Sequence, residues 1–289
     1  MELQNNITSQ KGHLALIGGA EDRKDDMIVL KRIVNINNSK TIIVIPSATS
    51  YPIECGDDYK EAFGKLGVED VRVFDIRDAN EADDKKYLET IEEADMVFFT
   101  GGDQVRLVNA LKNTQLIEKI HHLYQTKGLT IAGTSAGAAA ASDPMTYDGD
   151  NEGLIKGTIE FSRGFGFIQN VTIDTHFVAR GRIGRLTQFL CSEMSDKGIG
   201  IGENTAIIVN PDNEIEVVGT GIVTVVNTSN VTYSNINKIQ AGQRITIDGI
   251  KVGFLQHGAI FDLKNWNSIG NKADSEIIPH KPNGKRNCY

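Results

Sequence analysis

The chain has 289 residues, of which 40% are hydrophobic, and its 30 basic and 38 acidic residues give a formal net charge of −8. This composition is typical of globular proteins and excludes collagen-like, coiled-coil and disordered chains. The acidic excess argues against a nucleic-acid-binding protein, which normally has a basic surplus. The three cysteines lie far apart, so neither a disulfide framework nor a zinc motif of paired cysteines is predicted.

The amino terminus, MELQNNITSQKG, is polar and has no apolar core of the kind found in signal peptides. No stretch of the sequence approaches the roughly 18 consecutive apolar residues of a membrane-spanning helix. We therefore expect a soluble cytoplasmic protein.

From residue 13 to about residue 142, short apolar runs alternate with segments of helical periodicity. The runs are HLALIGG, TIIVIP, VRVFDI, DMVFFTGG and LTIAG. Continuous apolar runs bounded by Gly, Pro or charged residues are typical of strands buried on both faces of a parallel sheet. The alternation of strand and helix predicts a doubly wound α/β core, which we place at residues 12–203.

The chain after residue 203 has a different pattern. Two apolar runs flank the turn signal PDN at 211–213, and the strand-like segments RITIDG, KVGFLQHG and AIFDL follow. These segments predict a β-rich extension over residues 204–265, made of antiparallel hairpins added to one edge of the sheet. Residues 266–289 have no periodicity, which predicts a loose tail. Because no linker rich in Gly, Ser or Pro is found, we expect one domain over residues 1–289.

The strongest local signal for chemistry is GTSAG at residues 133–137, which follows an apolar run and precedes a favourable helix start. A GxSxG motif between a strand and a helix predicts a nucleophile elbow, with Ser135 at the strained turn. The backbone N–H of Ala136 could then stabilise an oxyanion, together with Gly101 or Gly102 of the TGGDQ segment. The alternative is a Gly/Ala-rich turn that only packs a helix against the sheet, which the strand–turn–helix context disfavours.

A nucleophilic serine needs a base and a group that orients that base. His176 follows the run NVTID and therefore lies at the carboxyl end of a strand, where α/β proteins form their sites. Glu203, in a Gly-rich turn, could orient it. The alternative for His176 is a structural histidine at a strand end. The chain order Ser, His, Glu differs from that of the α/β-hydrolases, so the elbow does not indicate that fold.

Three arginines follow the histidine closely, at positions 180, 182 and 185. In an acidic protein, arginines beside a candidate base suggest an anionic substrate, because the guanidinium group suits carboxylates. The alternative is an ordinary solvated basic turn.

The scattered histidines suggest no metal site, and the absence of GxGxxG and Walker motifs from the sequence suggests no nucleotide cofactor. We therefore expect no cofactor.

Together these motifs resemble one known family, the cyanophycinases, a branch of serine peptidases that also contains the aspartyl dipeptidases. The similar segments run in order from residue 17 to residue 206, and they are IGGAED, TGGDQ, GTSAGA, DTHFVARGRIGRL and GIGENTA. The resemblance implies a flavodoxin-like or class I amidotransferase-like fold, with a mostly parallel central sheet flanked by helices. It also implies a homodimer.

The resemblance further implies a triad of Ser135 as nucleophile, His176 as base and Glu203 as its orienting acid. The implied substrate-binding positions are Gln104, Asp174, Thr175, Arg180, Arg182 and Arg185. The implied substrate is cyanophycin, a poly-aspartate with arginine on each β-carboxyl, which members of the family cleave from the chain end to β-aspartyl-arginine dipeptides. Thr175 departs from the glutamine that many members carry at this position, and the change concerns the shape of the pocket.

Two alternatives stay open at this point. The first is a peptidase similar to the aspartyl dipeptidases, acting on peptides with an N-terminal aspartate, although the arginine-rich segment favours the cyanophycinases. The second is a non-catalytic binding protein or an amidotransferase-like subunit. Amidotransferases of this architecture carry cysteine at the elbow, so Ser135 argues against that interpretation.

Overall fold

The computed structural model of the protein describes residues 11–149, 154–192 and 195–272. Its strands in chain order are β1 (Leu14–Ile17), β2 (Thr41–Ile45), β3 (Asp70–Val73), β4 (Met96–Phe99), β5 (Thr130–Thr134), β6 (Met145–Gly149), β7 (Ile159–Ser162), β8 (Thr172–Asp174), β9 (Lys197–Ile201), β10 (Thr205–Val209), β11 (Glu214–Gly219), β12 (Val223–Asn227), β13 (Tyr233–Ser234), β14 (Ile247–Asp248), β15 (Lys251–Leu255), β16 (Ala259–Asp262) and β17 (Asn267–Asn271). Its α-helices are α1 (Ile28–Val34), α2 (Pro52–Lys65), α3 (Ala79–Ala82), α4 (Lys85–Thr90), α5 (Gln104–Leu111), α6 (Gln115–Thr126), α7 (Ala136–Ala139) and α8 (Ile183–Cys191).

A central sheet of nine strands has the order β17-β16-β11-β10-β1-β5-β4-β2-β3. The five strands from β1 to β3 in this order are parallel to their neighbours, whereas β10, β11, β16 and β17 are antiparallel. The long crossovers that parallel neighbours require are supplied by the helices. The predicted α/β class, with a helix-flanked sheet containing parallel strands and a β-rich C-terminal region, is confirmed.

The middle strands of the central sheet, β1, β2, β4, β5 and β10, are buried on both faces. In β1, Leu14 and Leu16 pack with residues of α5 and α6, whereas Ala15 and Ile17 pack with residues of α1 and α2. Successive side chains of a strand point to opposite faces, so both alternating sets must be apolar. This burial explains why the sequence shows continuous apolar runs here rather than alternation.

The predicted β-rich extension does not all join one edge of the central sheet. Strands β10, β11, β16 and β17 extend it, but β12 and β15 belong to a second sheet with the order β15-β12-β9-β8. After β9, the chain passes between the two sheets three times: in the turn of residues 202–204, between β11 and β12, and between β15 and β16. The first two of these crossings are rich in glycine, and the first contains Glu203.

The prediction of a loose tail from residue 266 is wrong for its first residues. Trp266 is buried and packs edge-on against Phe261, with ring centroids 5.2 Å apart, and β17 pairs with β16. A short strand rich in Asn, Ser and Gly lacks the apolar periodicity that would have announced it. The rest of the predicted tail, residues 273–289, lies outside the described residues.

Among the helices of the described chain, none has the length and apolar character needed to span a bilayer.

Candidate active site

The predicted catalytic side chains lie on three loops that meet between the two sheets. Ser135 follows β5 of the central sheet, and His176 follows β8 of the second sheet. Glu203 lies in the turn by which the chain leaves the second sheet for the central one. Residues 41 and 27 positions apart in sequence are thereby brought into contact.

The three side chains form one hydrogen-bonded series. The hydroxyl oxygen of Ser135 lies 2.9 Å from Nε2 of His176, and Nδ1 of His176 lies 2.9 Å from Oε1 of Glu203. An ionised carboxylate can only accept hydrogen bonds, so the imidazole nitrogen facing Glu203 carries the proton. Nε2 of the neutral ring is then left as an acceptor for the hydroxyl proton of Ser135.

The turn that carries Ser135 is strained. Its backbone angles are φ 50° and ψ −108°, a conformation that costs a non-glycine residue about 1–3 kcal/mol and tends to occur at functional sites. The backbone N–H of Ser135 donates to the carbonyl of Ile17 at 3.0 Å, and its carbonyl accepts from Ala139 N at 2.9 Å. These bonds attach the turn to β1 on one side and to α7 on the other, as a nucleophile elbow requires.

The predicted oxyanion donors lie beside this turn. A Cβ on Gly101 would come within 3.3 Å of the Cβ of Ser135, so the two backbones are adjacent. Within the described part of the chain, the backbone N–H groups of Gly101, Gly102 and Ala136 donate no hydrogen bond. Their donors are therefore available to a ligand, and their role in an oxyanion hole stays a prediction.

His176 is held in a buried position. His176 is 9% exposed, and its backbone N–H donates to the carbonyl of Gly18 at 2.7 Å. Burial lowers the pKa of His176, the contact with Glu203 acts in the opposite direction, and the nearby charge of Arg180 lowers the pKa further. The lowered pKa keeps the imidazole neutral at neutral pH, which is the form that accepts a proton.

Asp174, two residues before His176 in sequence, has a different environment from Glu203. Asp174 is 1% exposed, and its two oxygens accept from Nε of Arg185 at 3.1 Å, from Nη2 of Arg185 and from Nη1 of Arg182 at 3.2 Å. Burial lowers the pKa of Arg182 to about 10, which still leaves its guanidinium charged at neutral pH. One carboxylate and two guanidinium groups thus form a buried ion cluster behind the His176 loop.

The remaining predicted substrate-binding residues differ in accessibility. Thr175 is buried, and its carbonyl accepts from Arg182 at 2.7 Å. Gln104 is partly buried and donates from Nε2 to the carbonyls of Thr146 and Tyr147 at 3.3 and 3.4 Å, which ties α5 to β6. Arg180 is exposed. Substrate contacts by these residues and by the buried ion cluster stay predictions, and Arg180 is the most accessible of the charged residues.

A pocket of about 220 Å³ opens beside the serine. Since about 10–15 Å³ of such space is enough for one water molecule, the pocket has room for several waters or for a side chain of a substrate. Its lining residues are Ala20, Glu21, Arg23, Cys55, Tyr59, Gly101, Thr134, Ser135 and His176. Ser135 and His176, the predicted nucleophile and base, therefore both line the same cavity.

Comparison with known proteins identifies the family. The model of peptidase family S51 matches residues 14–217. This chain belongs to peptidase family S51. It is accordingly a serine-type peptidase, and the resemblance predicted from the motifs is confirmed.

Relatives of this S51 peptidase match it over most of its length. The cyanophycinase of Geminocystis herdmanii is 34% identical over 257 residues, which is 88% of this chain and 94% of the relative. The cyanophycinase of Trichormus variabilis is 33% identical over 256 residues, 88% of this chain and 86% of the relative. The crystal structure of a peptidase from an acI-B1 Actinobacterium shares the fold, with a TM-score of 0.67 at 23% identity, covering 88% of this chain and 98% of that one.

Sequence reasoning missed the role of one loop in this S51 site, the segment of residues 18–22 that follows β1. The loop and the end of β1 hydrogen-bond to all three catalytic loops: Ser135 N to Ile17 O (3.0 Å), His176 N to Gly18 O (2.7 Å), Asn204 N to Gly19 O (2.9 Å), Thr134 Oγ1 to Glu21 Oε2 (2.6 Å) and Asp22 N to Asn204 Oδ1 (3.0 Å). The available signal was the pair of acidic residues Glu21 and Asp22 shortly after β1. The carboxyl ends of the strands form the edge of the sheet where the other candidates also lie.

Gly19 in that loop has φ +94°, and a Cβ at this position would lie 2.3 Å from Cε1 of His176. The imidazole ring therefore rests directly on the glycine backbone. Any side chain at this position would both strain the backbone and displace the ring.

Proposed function

We propose that this S51 peptidase hydrolyses cyanophycin to β-aspartyl-arginine dipeptides, with Ser135, His176 and Glu203 as its catalytic triad. The observation that carries the proposal is the hydrogen-bonded series from the hydroxyl of Ser135 through His176 to Glu203, facing a pocket. The cyanophycinases at 33% and 34% identity support the choice of substrate.

In the acylation step, the hydroxyl oxygen of Ser135 attacks the carbonyl carbon of the scissile amide. Nε2 of His176 takes the hydroxyl proton, and Glu203 stabilises the resulting imidazolium through Nδ1–H. The negative charge that develops on the carbonyl oxygen is stabilised by the available N–H groups of Gly101, Gly102 and Ala136. The imidazolium then returns its proton to the leaving amine as the C–N bond breaks.

In the deacylation step, a water molecule attacks the serine ester while His176 takes one of its protons. Collapse of the second tetrahedral intermediate breaks the ester C–O bond and returns the proton to Ser135. The carboxylic acid product leaves, and the free enzyme is restored. The neutral imidazole required at the start of each step is the form that the lowered pKa of His176 favours.

Charge complementarity supports a substrate with both a carboxylate and a guanidinium in every unit. Arg180 is exposed, close enough to His176 to lower its pKa, and suited to bind a substrate carboxylate. We propose that Asp174, Arg182 and Arg185 shape the loop that presents Arg180 and His176, since their charged groups bond to one another.

Mass spectrometry of the products tests this function. The purified protein is incubated separately with cyanophycin granules and with α-aspartyl dipeptides. We expect β-aspartyl-arginine from the granules and none from the Ser135→Ala variant, whereas Ser229→Ala, a change at the opposite end of the β9–β12 pair, releases product at the wild-type rate. Cleavage of α-aspartyl dipeptides without cleavage of the granules would favour the aspartyl dipeptidase alternative.

A fluorophosphonate label separates an enzyme from a binding protein. We expect the reagent to attach to Ser135 in the wild-type protein and not in Ser135→Ala. Labelling at another serine would contradict the assignment of the nucleophile.

A further inference from the structure

A second buried carboxylate lies on the pocket side of the catalytic pair. Glu21 lines the pocket beside Ser135 and is 7% exposed. Its Oε2 accepts from the hydroxyl of Thr134 at 2.6 Å, and its Oε1 accepts from the hydroxyl of Tyr59. Thr134 directly precedes Ser135 in sequence, so the carboxylate of Glu21 is hydrogen-bonded to the residue next to the nucleophile.

Both hydrogen-bond partners of Glu21 are neutral. Burial, and then the proximity of Glu21, raise the pKa of Tyr59 well above its usual value, so the phenol keeps its proton and donates. Among residues 11–149, 154–192 and 195–272, no Lys, Arg or His forms an ion pair with Glu21. A carboxylate offers about four acceptor sites, and two are used here, so the group can accept further hydrogen bonds from a ligand.

Arg23, an arginine of the pocket lining, makes its contacts with Tyr59 and Asp58 rather than with Glu21. The guanidinium of Arg23 lies over the ring of Tyr59, 5.1 Å from its centroid, and pairs with the exposed carboxylate of Asp58 at 3.3 Å. The other polar side chain near Glu21, Cys55, is uncharged, since burial raises the pKa of its thiol. Among the described residues that line the pocket, the charge of Glu21 is therefore opposed by no bonded cation.

A buried carboxylate without a cation is unfavourable unless a ligand supplies the missing charge. A charged donor entering the pocket would form charge-assisted hydrogen bonds with the free acceptor sites in a site of low solvent content. The pocket is lined by the nucleophile itself, so such a ligand would lie next to the scissile bond.

We infer that Glu21 forms a cation-binding subsite beside Ser135, which receives a substrate group bearing a positive charge and N–H donors. The inference rests on the proposed function, because a cyanophycin unit supplies this chemistry through its guanidinium and the chain end supplies it through its ammonium group. The guanidinium is the better match in shape, since its planar donors can bridge carboxylate oxygens.

Substrate analogues that differ only in charge test the subsite. The substrates are an oligomer of three β-aspartyl-arginine units, its analogue with neutral citrulline in place of arginine, and the arginine oligomer with an acetylated amino terminus. kcat/KM is measured for each with wild type, with Glu21→Gln and with the matched control Glu61→Gln, which removes an exposed acidic charge outside the pocket lining that pairs with Lys65.

We expect wild type to prefer one charged substrate over its neutral counterpart by about 10- to 100-fold, the effect of one hydrogen bond to a charged group. Glu21→Gln should reduce that preference to within about twofold, whereas Glu61→Gln should keep it. Loss of the preference over citrulline identifies the guanidinium as the bound group, and loss of the preference over the acetylated oligomer identifies the ammonium group.

A second variant gives a test that does not depend on the folding of Glu21→Gln. Tyr59→Phe keeps the carboxylate and frees one of its acceptor sites, so the preference for the charged substrate should increase by about 2- to 10-fold. An unchanged or smaller preference would contradict the inference.

The outcomes separate this inference from the proposed function. If wild type cleaves none of the oligomers, the proposed function fails and the subsite fails with it. If wild type cleaves the charged and neutral substrates equally, or if Glu21→Gln slows all of them by the same factor, the function stands and the cation subsite is overturned. The second pattern would assign Glu21 a positioning role through Thr134.

Discussion

Two buried carboxylates lie near Ser135 and His176, the proposed catalytic pair, and they are stabilised in opposite ways. On one side, Asp174 accepts hydrogen bonds from two guanidinium groups, those of Arg182 and Arg185. On the other side, Glu21 accepts from the neutral hydroxyls of Tyr59 and Thr134. Asp174 ends β8 and Glu21 lies in the loop after β1, and both are less than a tenth exposed.

The difference shows that burial alone does not define the role of an acidic residue. The charge of Asp174 is cancelled within the protein, so its main effect is on the geometry of the loop that carries His176. The charge of Glu21 is solvated by neutral donors and remains available to a ligand. A buried carboxylate therefore stabilises the structure at Asp174, whereas at Glu21 we propose that it binds a cationic group of the substrate.

The largest expected effect concerns a third acid, Glu203, the proposed partner of His176, whose Oε1 lies 2.9 Å from Nδ1 of the imidazole. Replacing Glu203 with Gln should lower kcat by about 10⁴-fold, since an amide can hold the imidazole in the wrong tautomer. Initial rates on cyanophycin provide the measurement. A loss of less than tenfold would mean that another acid orients His176, and the comparison of the flanks would have to be revised.

The next effect is on stability and separates the two flanks directly. Asp174→Asn leaves two buried guanidinium groups without their carboxylate, and we expect the free energy of unfolding to fall by about 3–5 kcal/mol. Glu21→Gln disturbs only hydrogen bonds to neutral hydroxyls and should cost about 1 kcal/mol. Urea unfolding of both variants provides the values, and equal losses would show that the two carboxylates are held in similar ways.

In the loop of residues 18–22, Gly19 is the residue whose backbone lies against the ring of His176, the proposed base. Gly19→Ala should lower kcat by about 100-fold, because the new Cβ displaces the His176 ring by roughly the ångström that catalysis is sensitive to. Gly67→Ala is the matched control, since Gly67 also has a positive φ, +84°, and no atom lies within 4 Å of the place that its new Cβ would take. A similar loss of kcat in both variants would attribute the effect to backbone strain.

Arg180 tests recognition on the flank of the ion cluster. Arg180→Ala should lower kcat/KM by about 10- to 100-fold, mainly through KM, because one charged hydrogen bond to a substrate carboxylate is lost. Steady-state kinetics on soluble oligomers separate the two constants. A fall in kcat at unchanged KM would instead assign Arg180 to the transition state or to the position of His176.

The smallest expected effect is on the pH profile. Because the pKa of His176 is lowered from 6.5, and because the base must be neutral, kcat/KM should be constant at about pH 7 and fall only below pH 6.5 as the imidazole is protonated. Removing the positive charge of Arg180 should move this acid limb to higher pH, since that charge lowers the pKa of His176. An acid limb with its midpoint above about pH 7 in the wild-type protein would contradict the assignment of the neutral base.

The parallel strands in the middle of the central sheet, β1, β2, β4 and β5, were predictable because their burial on both faces makes nearly every residue of a run apolar. Short strands such as β17, which is exposed and polar, gave no such signal and were missed. The elbow was predictable as well, because its chemistry depends on neighbouring residues within the GTSAG segment. The division of the C-terminal strands between two sheets was not, since the strand pattern is the same in either sheet.

The α/β class, the family and the candidates for nucleophile, base and acid can all be inferred from the amino-acid sequence, because each depends on local periodicity or on a motif of adjacent residues. The groups that surround each buried acid become known only from the three-dimensional fold. Thr134 lies 113 residues from Glu21 and Tyr59 lies 38 residues from it, so no local pattern could pair them. Whether a buried charge can still bind a ligand depends on the groups that the fold places beside it. Those groups come from segments that are distant in sequence.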